Sequence, residues 1–112
     1  MKATQIWAQR IRDLNDEFRR TFLGGRVVFT ASVAAMAADR RRRLVEKVQS
    51  FSQFPGADDP YGEHDFGAFE DEGVRFFWKI DLYDQTMKFG SPDAADPAVT
   101  VRVLTVMRAD EY

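Results

Sequence analysis

The chain has 112 residues, of which 45% are hydrophobic and 30% charged, with no cysteine and a formal net charge of -2. These values predict one soluble domain over residues 1–112 and exclude a multidomain enzyme and a disulfide-stapled secreted module. No apolar run approaches the roughly 18 residues of a membrane span, and the N-terminal residues lack the apolar core of a signal peptide. We therefore expect a cytoplasmic protein without membrane association.

The near-zero net charge hides an asymmetry between the two halves of the chain. Up to Gln49 there are eleven basic and five acidic residues, a net charge of +6, whereas from Ser50 there are five basic and thirteen acidic residues, a net charge of -8. The two halves must either attract each other within the fold or present opposite fields to partners.

An amphipathic helix and a short strand are predicted in the first 30 residues. Apolar residues recur every three or four positions from Trp7 to Phe22, with charged residues between them. Gly24 and Gly25 are expected to end this helix. Residues Arg26 to Thr30 are rich in β-branched side chains, and this composition predicts a strand. The small apolar segment 31–38 that follows fits either a packed connection or a short helical turn.

A second helix is predicted from an N-cap at Asp39 to about Phe51. Four arginines in its first turn lie at the end of the helix dipole that favours acidic side chains, so they need partners. Ser52 to His64 contains two prolines and two glycines among acidic residues. This segment is expected to be a long loop, of the kind that is usually functional or mobile.

The C-terminal half begins with a predicted hairpin, Phe66 to Glu70 and Val74 to Tyr83, around a short loop that contains glycine. Alternation along the second strand predicts one buried face. A third strand is expected at Met87 to Phe89. The segment after Asp96 and Pro97 fits a helix or a strand, because its valines match both periods, and the Asp-Pro start favours a helix of about fifteen residues.

This order of elements predicts an α+β domain: a small antiparallel sheet, made of a hairpin or meander plus one N-terminal strand, with about three helices packed on one face.

The single histidine suggests one candidate site. Imidazole with nearby carboxylates suits a general base or a divalent metal, so Glu63, His64 and Asp65 with Asp81 form a possible metal or polar cluster. Adjacent residues of a strand point to opposite faces, so these side chains converge only if the chain bends there. The alternative is that His64 and Asp65 hydrogen-bond the loop backbone.

Two charged segments suggest contacts with macromolecules. The run Arg40, Arg41, Arg42 and Arg43, with Arg26, is a possible basic patch for nucleic acid; the alternatives are a solvated helix face or ion pairs with the acidic loop. A pI of 5.4 argues against a dedicated nucleic-acid binder. Residues 58–72 hold seven acidic residues and no Lys or Arg. Such a loop could imitate nucleic-acid phosphates, or could simply keep the domain soluble. Its candidate partner-binding residues are Asp58, Asp59, Tyr61, Glu63, Glu70, Asp71 and Glu72.

Covalent catalysis and nucleotide binding find no support in the sequence. There is no cysteine, no serine lies in a Gly-x-Ser-x-Gly elbow, and Gly24-Gly25 follows a helix instead of a strand. We therefore predict no cofactor and expect a protein that is not an enzyme.

Several spaced motifs resemble a family of small bacterial proteins known only as a domain of unknown function. They are GEHDFGAF at 62–69, FWKID at 77–81, GSPD at 90–93, DPAV at 96–99 and VLTVM at 103–107, together with residues 11–19 and 24–28. The resemblance implies no activity at any position. It implies a context, plasmids and prophages, whose small proteins are often inhibitors of host defence.

These observations give three hypotheses. The first is a non-catalytic binding or inhibitory protein of a mobile element, an anti-CRISPR or anti-restriction protein in its most specific form. Its acidic loop and aromatic neighbours would contact a basic protein surface, such as that of a host nucleic-acid-processing complex. The second is a small metal-dependent enzyme or metal-binding protein that uses the cluster around His64. The third is nucleic-acid binding through the arginine run.

Overall fold

Residues 3–112, with side chains described from Ile6 onward, form three helices and one four-stranded sheet in the computed structural model. The helices are α1 (Ala3–Thr21), α2 (Ala31–Ala34) and α3 (Ala38–Gln49), and the strands are β1 (Arg26–Phe29), β2 (Phe66–Asp71), β3 (Val74–Tyr83) and β4 (Val101–Arg108). The α+β class predicted from the sequence is therefore confirmed.

The sheet is mixed, with strand order β1-β4-β3-β2. β3 runs antiparallel to both β2 and β4, whereas β1 pairs in parallel with β4, with Arg26 opposite Val103. The expectation of a purely antiparallel sheet is wrong at this pair. A parallel pair needs a long crossover connection, and here α2, α3 and the β2–β3 hairpin all lie between the paired strands in sequence.

The predicted hairpin is present as β2 and β3. Its turn consists of Glu72 and Gly73, both with positive φ (52° and 76°). Two successive left-handed residues fit a type I′ turn, whose twist matches that of the flanking strands. Along β3 the buried residues are Phe76, Trp78 and Ile80, as the alternation predicted.

The last segment fitted both a helix and a strand, and the favoured helix is wrong, because residues Val101–Arg108 form β4. The side chain of Asp96 accepts a hydrogen bond from the Ala98 amide at 2.9 Å, but it caps only one 3-10 turn, Pro97–Val99. β4 follows at once and lies in the middle of the sheet, between β1 and β3. Apolar residues are buried on both faces of β4, Leu104 and Val106 on one and Val103 and Met107 on the other. Its apolar residues therefore do not alternate with polar ones, and the pattern resembles that of a helix.

The strand expected at 87–89 is also absent. The Asp84 carboxylate accepts hydrogen bonds from the amides of Thr86 and Lys88 at 3.1 and 3.3 Å. These bonds fold the segment into a turn, in which Met87 has a φ of 63°. Only an isolated bridge joins Tyr83 to Gly90.

Two helix boundaries differ from the prediction. α3 begins at Ala38 with Ala37 at the N-cap, so Asp39 lies inside the first turn instead of capping it. α1 ends at Thr21, before Gly24, because Phe22 takes the left-handed conformation (φ 59°).

The main core lies between the helices and one face of the sheet. Its buried members are Phe18, Val33, Leu44, Val48, Phe76, Trp78, Ile80, Leu104 and Val106. A long loop connects α3 to β2, as predicted for Ser52 to His64. Its residues 52–65, here called the 52–65 loop, bring Phe54 edge-on to Trp78, with ring centroids 6.2 Å apart. The core thus fixes one end of this loop beside α1.

Candidate functional site

The 52–65 loop is held against α1 by polar contacts at His64. The His64 Nδ1 lies 2.8 Å from an Asp16 carboxylate oxygen, and its Nε2 lies 3.6 Å from Asp59. The His64 backbone amide donates to Asp59 at 3.0 Å. The imidazole stacks on Phe54, with centroids 3.6 Å apart and planes 4° apart. His64 adopts a φ of 54°, and this uncommon conformation places the ring between two carboxylates.

Asp16 also neutralises a cation in the core. Arg19 is 0% exposed, and its Nη1 donates to Asp16 at 2.8 Å while its Nη2 donates to the Phe51 carbonyl at 3.0 Å. The guanidinium lies over the rings of Phe54 and Trp78, 5.3 and 5.2 Å from their centroids. We call Asp16, Arg19, Asp59 and His64 the His64 centre; it joins α1, the loop and the core.

The side chains of the predicted metal cluster do not form a ligand set. Within residues 3–112 as described, no group of three or more His, Asp or Glu side chains could hold a metal ion. Asp81 pairs with Lys79 at 3.0 Å, and His64 uses its ring nitrogens on Asp16 and Asp59. The convergence that the metal hypothesis requires is therefore not found there.

Carboxylates nevertheless crowd together at the end of the loop. Burial raises the pKa of Glu63, and the negative charges of Asp65 and Asp59 raise it further. Burial also raises the pKa of Asp65, with additions from Asp59 and Asp81 and partial opposition from a backbone hydrogen bond and from His64. A positive charge placed beside Glu63 would relieve this repulsion.

The acidic end of the hairpin is neutralised by the arginine run of α3. Asp71 is 2% exposed and accepts hydrogen bonds from Arg43 at 2.6 Å, Lys47 at 3.0 Å and Arg40 at 3.3 Å. The bond from Arg43, with help from Lys47, holds the pKa of Asp71 well below its usual range despite burial. Glu72 pairs with Arg43 at 3.1 Å. Ion pairing between the arginine run and the acidic segment, one of the alternatives from the sequence, is confirmed here.

The predicted basic patch is divided. Arg41 donates to the carbonyl groups of Ala34 and Met36, at and just after the C-terminal end of α2. It is therefore used in an internal contact. Arg42 is exposed on α3, whereas Arg26 is exposed on the edge strand β1, at the side of the sheet opposite the hairpin. With Arg40 and Arg43 committed to Asp71, the structure does not bring the five arginines to one surface.

The predicted partner-binding residues also separate into two groups. Glu70, Asp71 and Glu72 lie at the hairpin, and Asp58, Asp59, Tyr61 and Glu63 lie on the 52–65 loop. Asp59 and Asp71 are buried. Their carboxylates bind other residues of this protein and are not accessible to a partner protein. Tyr61, in contrast, is 77% exposed.

A groove lies where the loop meets the N-terminal half of α1. Its volume is about 540 Å³, and it is lined by Trp7, Ala8, Ile11, Tyr61, Glu63, Pro92, Asp93 and Ala94. We call it the α1 groove. Trp7 is 55% exposed, although its helical spacing predicted a core position. Arg10 donates to the Ala95 carbonyl at 2.7 Å. This bond attaches segment 92–94, which forms the wall opposite α1.

Sequence reasoning found Tyr61 and Glu63 but missed the other wall of this groove. Trp7 and Ile11 belong to the apolar stripe predicted for the first helix, and Pro92 and Asp93 were noted only as part of the motif GSPD. The one signal in the sequence was the position of Trp7 at the start of the apolar stripe, far from the part of the helix that packs on the sheet. In the structure Phe18, near the end of the helix, is the member of the stripe that is buried. The unpacked start of α1 thus forms the groove wall.

A comparison with models of protein families identifies a match. A family model described as "Protein of unknown function" (DUF3768) matches residues 29–111. The motifs from residue 62 onward, which carried the resemblance, lie inside this range, whereas residues 11–19 and 24–28 precede it. No curated protein and no solved structure matches the chain. None of the described helices combines the length and the apolar character needed to span a bilayer.

Proposed function

The chain belongs to a family of proteins of unknown function, DUF3768, and from its own geometry we propose a non-catalytic binding domain that recognises a basic side chain of a partner protein in the α1 groove. The observation that carries this proposal is the placement of Glu63, a partly buried carboxylate with other carboxylates nearby, beside two exposed aromatic residues, Trp7 and Tyr61, in one concave site.

The chemistry of the lining favours a cation. An ammonium or guanidinium group over an aromatic face gains about 0.5–2 kcal/mol, depending on how far it is desolvated. A carboxylate beside the ring adds a charge-assisted hydrogen bond. Glu63 and Asp93 both line the groove, and its volume of about 540 Å³ is that of a small-ligand pocket. We infer that an arginine or lysine side chain is the preferred occupant.

The surroundings limit the partner to a single inserted side chain or a short segment. Arg12 lies beside Gly62, with Nη1 at 4.0 Å from the position that a Cβ would take there. Arg10 contacts the Ala95 carbonyl at the other wall. These two cations would repel a broad basic surface, so selectivity would come from the aromatic contacts of one inserted group.

Binding of an arginine peptide tests this proposal. A fluorescein-labelled peptide with a single arginine between glycine and serine residues should bind the protein, and anisotropy should show at least a tenfold weaker Kd for Glu63→Gln and for Trp7→Ala, a change of about 1.4 kcal/mol. The matched control is Glu70→Gln, which removes the same charge from the exposed face of β2 and should leave the Kd within about twofold. Equal losses for E63Q and E70Q would mean attraction by net charge alone and would overturn the proposal, as would unchanged binding by W7A.

In its more specific form, the proposal makes the partner a host nucleic-acid-processing complex and the protein an anti-defence inhibitor of a mobile element. Such complexes present arginine and lysine side chains to phosphates, and the α1 groove would accept one of them. Expression in a host that carries a CRISPR or restriction system should raise phage plaque counts by at least tenfold, and E63Q should abolish the increase. Equal plaque counts with and without the protein would count against this form while leaving peptide binding untouched.

A further inference from the structure

A second arginine, Arg102 on β4, is buried without a carboxylate partner among the described residues. It is 4% exposed. Its Nε donates to the Asn15 side-chain oxygen at 2.9 Å and its Nη2 to the Ala94 carbonyl at 2.8 Å. Burial alone lowers its pKa, and no neighbouring carboxylate offsets the effect. The other fully buried arginine, Arg19, contrasts with it because Asp16 neutralises that cation.

The neutral contacts of Arg102 hold its guanidinium in a fixed position. Asn15 is 0% exposed and also donates to the Glu63 carbonyl at 2.9 Å, so it cannot turn away. Among the hydrogen bonds of the described residues, none involves the Nη1 of Arg102. A buried cation with neutral partners is costly, and an anion that reached it would gain strongly from the low local dielectric.

Arg102 lines a pocket that is otherwise mainly apolar. The pocket has a volume of about 310 Å³, and its other lining residues are Leu14, Glu17, Phe18, Leu23, Gly24 and Pro97. Leu23 is 76% exposed and gives the pocket an apolar rim. We call this site the Arg102 pocket; it lies between α1, the α1–β1 connection and the 3-10 turn at Pro97.

We propose that the Arg102 pocket binds a small monocarboxylate with an apolar body, such as a medium-chain fatty acid. The carboxylate would meet the guanidinium, and the apolar body would lie against Leu14 and Leu23. Glu17 is the only acidic residue in the lining. Its charge would oppose an anion with two or more charges more strongly than one with a single charge, and this selects monocarboxylates.

Titration with octanoate, followed by ¹⁵N–¹H NMR of the Leu14 and Leu23 amides and of the Arg102 Nε–H, tests the site. Octanoate should cause saturable shifts. Octanamide, which has the same chain without the charge, and acetate, which has the charge without the chain, should each bind at least about tenfold more weakly. Absence of octanoate binding, or equal binding of octanamide, would overturn the proposal.

Variants locate the binding in the pocket. Arg102→Met should abolish it. Because that change also removes a partner of Asn15, a second variant, Leu23→Glu, alters only an exposed rim residue and should weaken octanoate binding at least about tenfold by charge repulsion. Phe89→Glu is the matched control, since Phe89 is 71% exposed and does not line the pocket; it should bind like the unchanged protein. Unchanged binding by L23E would place octanoate elsewhere and refute the assignment.

Discussion

Replacement of Asp16 by alanine is expected to lower the free energy of unfolding by about 3–5 kcal/mol, the usual effect of removing one partner of a buried ion pair. Arg19 is 0% exposed and would keep its charge in the core without a carboxylate. His64 would lose the acceptor at its Nδ1 at the same time. Urea unfolding followed by circular dichroism measures the change.

Two further variants separate this effect from the loss of any acidic residue on α1. Asp13→Ala removes an exposed carboxylate of the same helix and should change stability by less than about 0.5 kcal/mol. The double variant Asp16→Ala with Arg19→Met removes the buried cation as well, so it should be more stable than Asp16→Ala alone. Equal destabilisation by D13A and D16A would contradict this account.

Replacement of Asp71 by asparagine should cost about 1.5–3 kcal/mol at neutral pH, the range for a hydrogen bond to a charged group. Asp71 is 2% exposed and accepts from three cationic side chains. Those cations are partly exposed and regain water in the variant, so the loss should be smaller than for Asp16.

Acid pH provides an independent test of the same carboxylate. Because Arg43 holds the pKa of folded Asp71 well below its usual range, the folded protein binds a proton there less readily than the unfolded chain. Its stabilisation is therefore complete above about pH 4, the unfolded value, and is lost as the pH falls towards the folded pKa. The raised pKa values of Glu63 and Asp65 act with the opposite sign.

The comparison of variants isolates the Asp71 contribution. Between about pH 4 and pH 2, the stability of Asp71→Asn should fall less steeply with decreasing pH than that of the unchanged protein. Glu70→Gln, a neighbouring exposed acid, should retain the original slope. Identical slopes for D71N and the unchanged protein would show that Asp71 is not the group that titrates.

Local patterns predicted those elements whose partners are close in sequence. Alternation along Val74–Tyr83 located β3, and the glycine after Glu72 located its turn. The pattern of β4 fits both a helix and a strand, and it favoured the wrong one because the neighbouring strands β1 and β3 are distant in sequence and the valines match a helical period as well. The cap at Asp96 correctly signals the start of a helical turn. The turn does not continue as a helix, because the chain pairs with β1 and β3 from Val101 onward.

The candidate site was only half predictable for the same reason. Composition drew attention to His64, Tyr61 and Glu63, which lie close together in sequence. Asp16 is 48 residues from His64, and nothing in the helical pattern distinguishes it from Asp13 on the same helix. The buried charge of Arg19 was equally hidden, because an arginine in an amphipathic helix normally faces solvent.

The parallel pairing of β1 with β4 determines when the sheet can assemble during synthesis. Arg26 is opposite Val103, so β1 gains its partner only after β4, which lies more than 70 residues further along the chain, has been made. Until then β1 has no neighbour, and β3 has β2 alone. The chain loses conformational entropy when this long connection closes, before the contacts between β1 and β4 can compensate for it. This order of events slows folding. Val27 and Phe29 therefore have no strand partner while the residues between β1 and β4 are synthesised, and an unpaired apolar strand is open to aggregation during that interval.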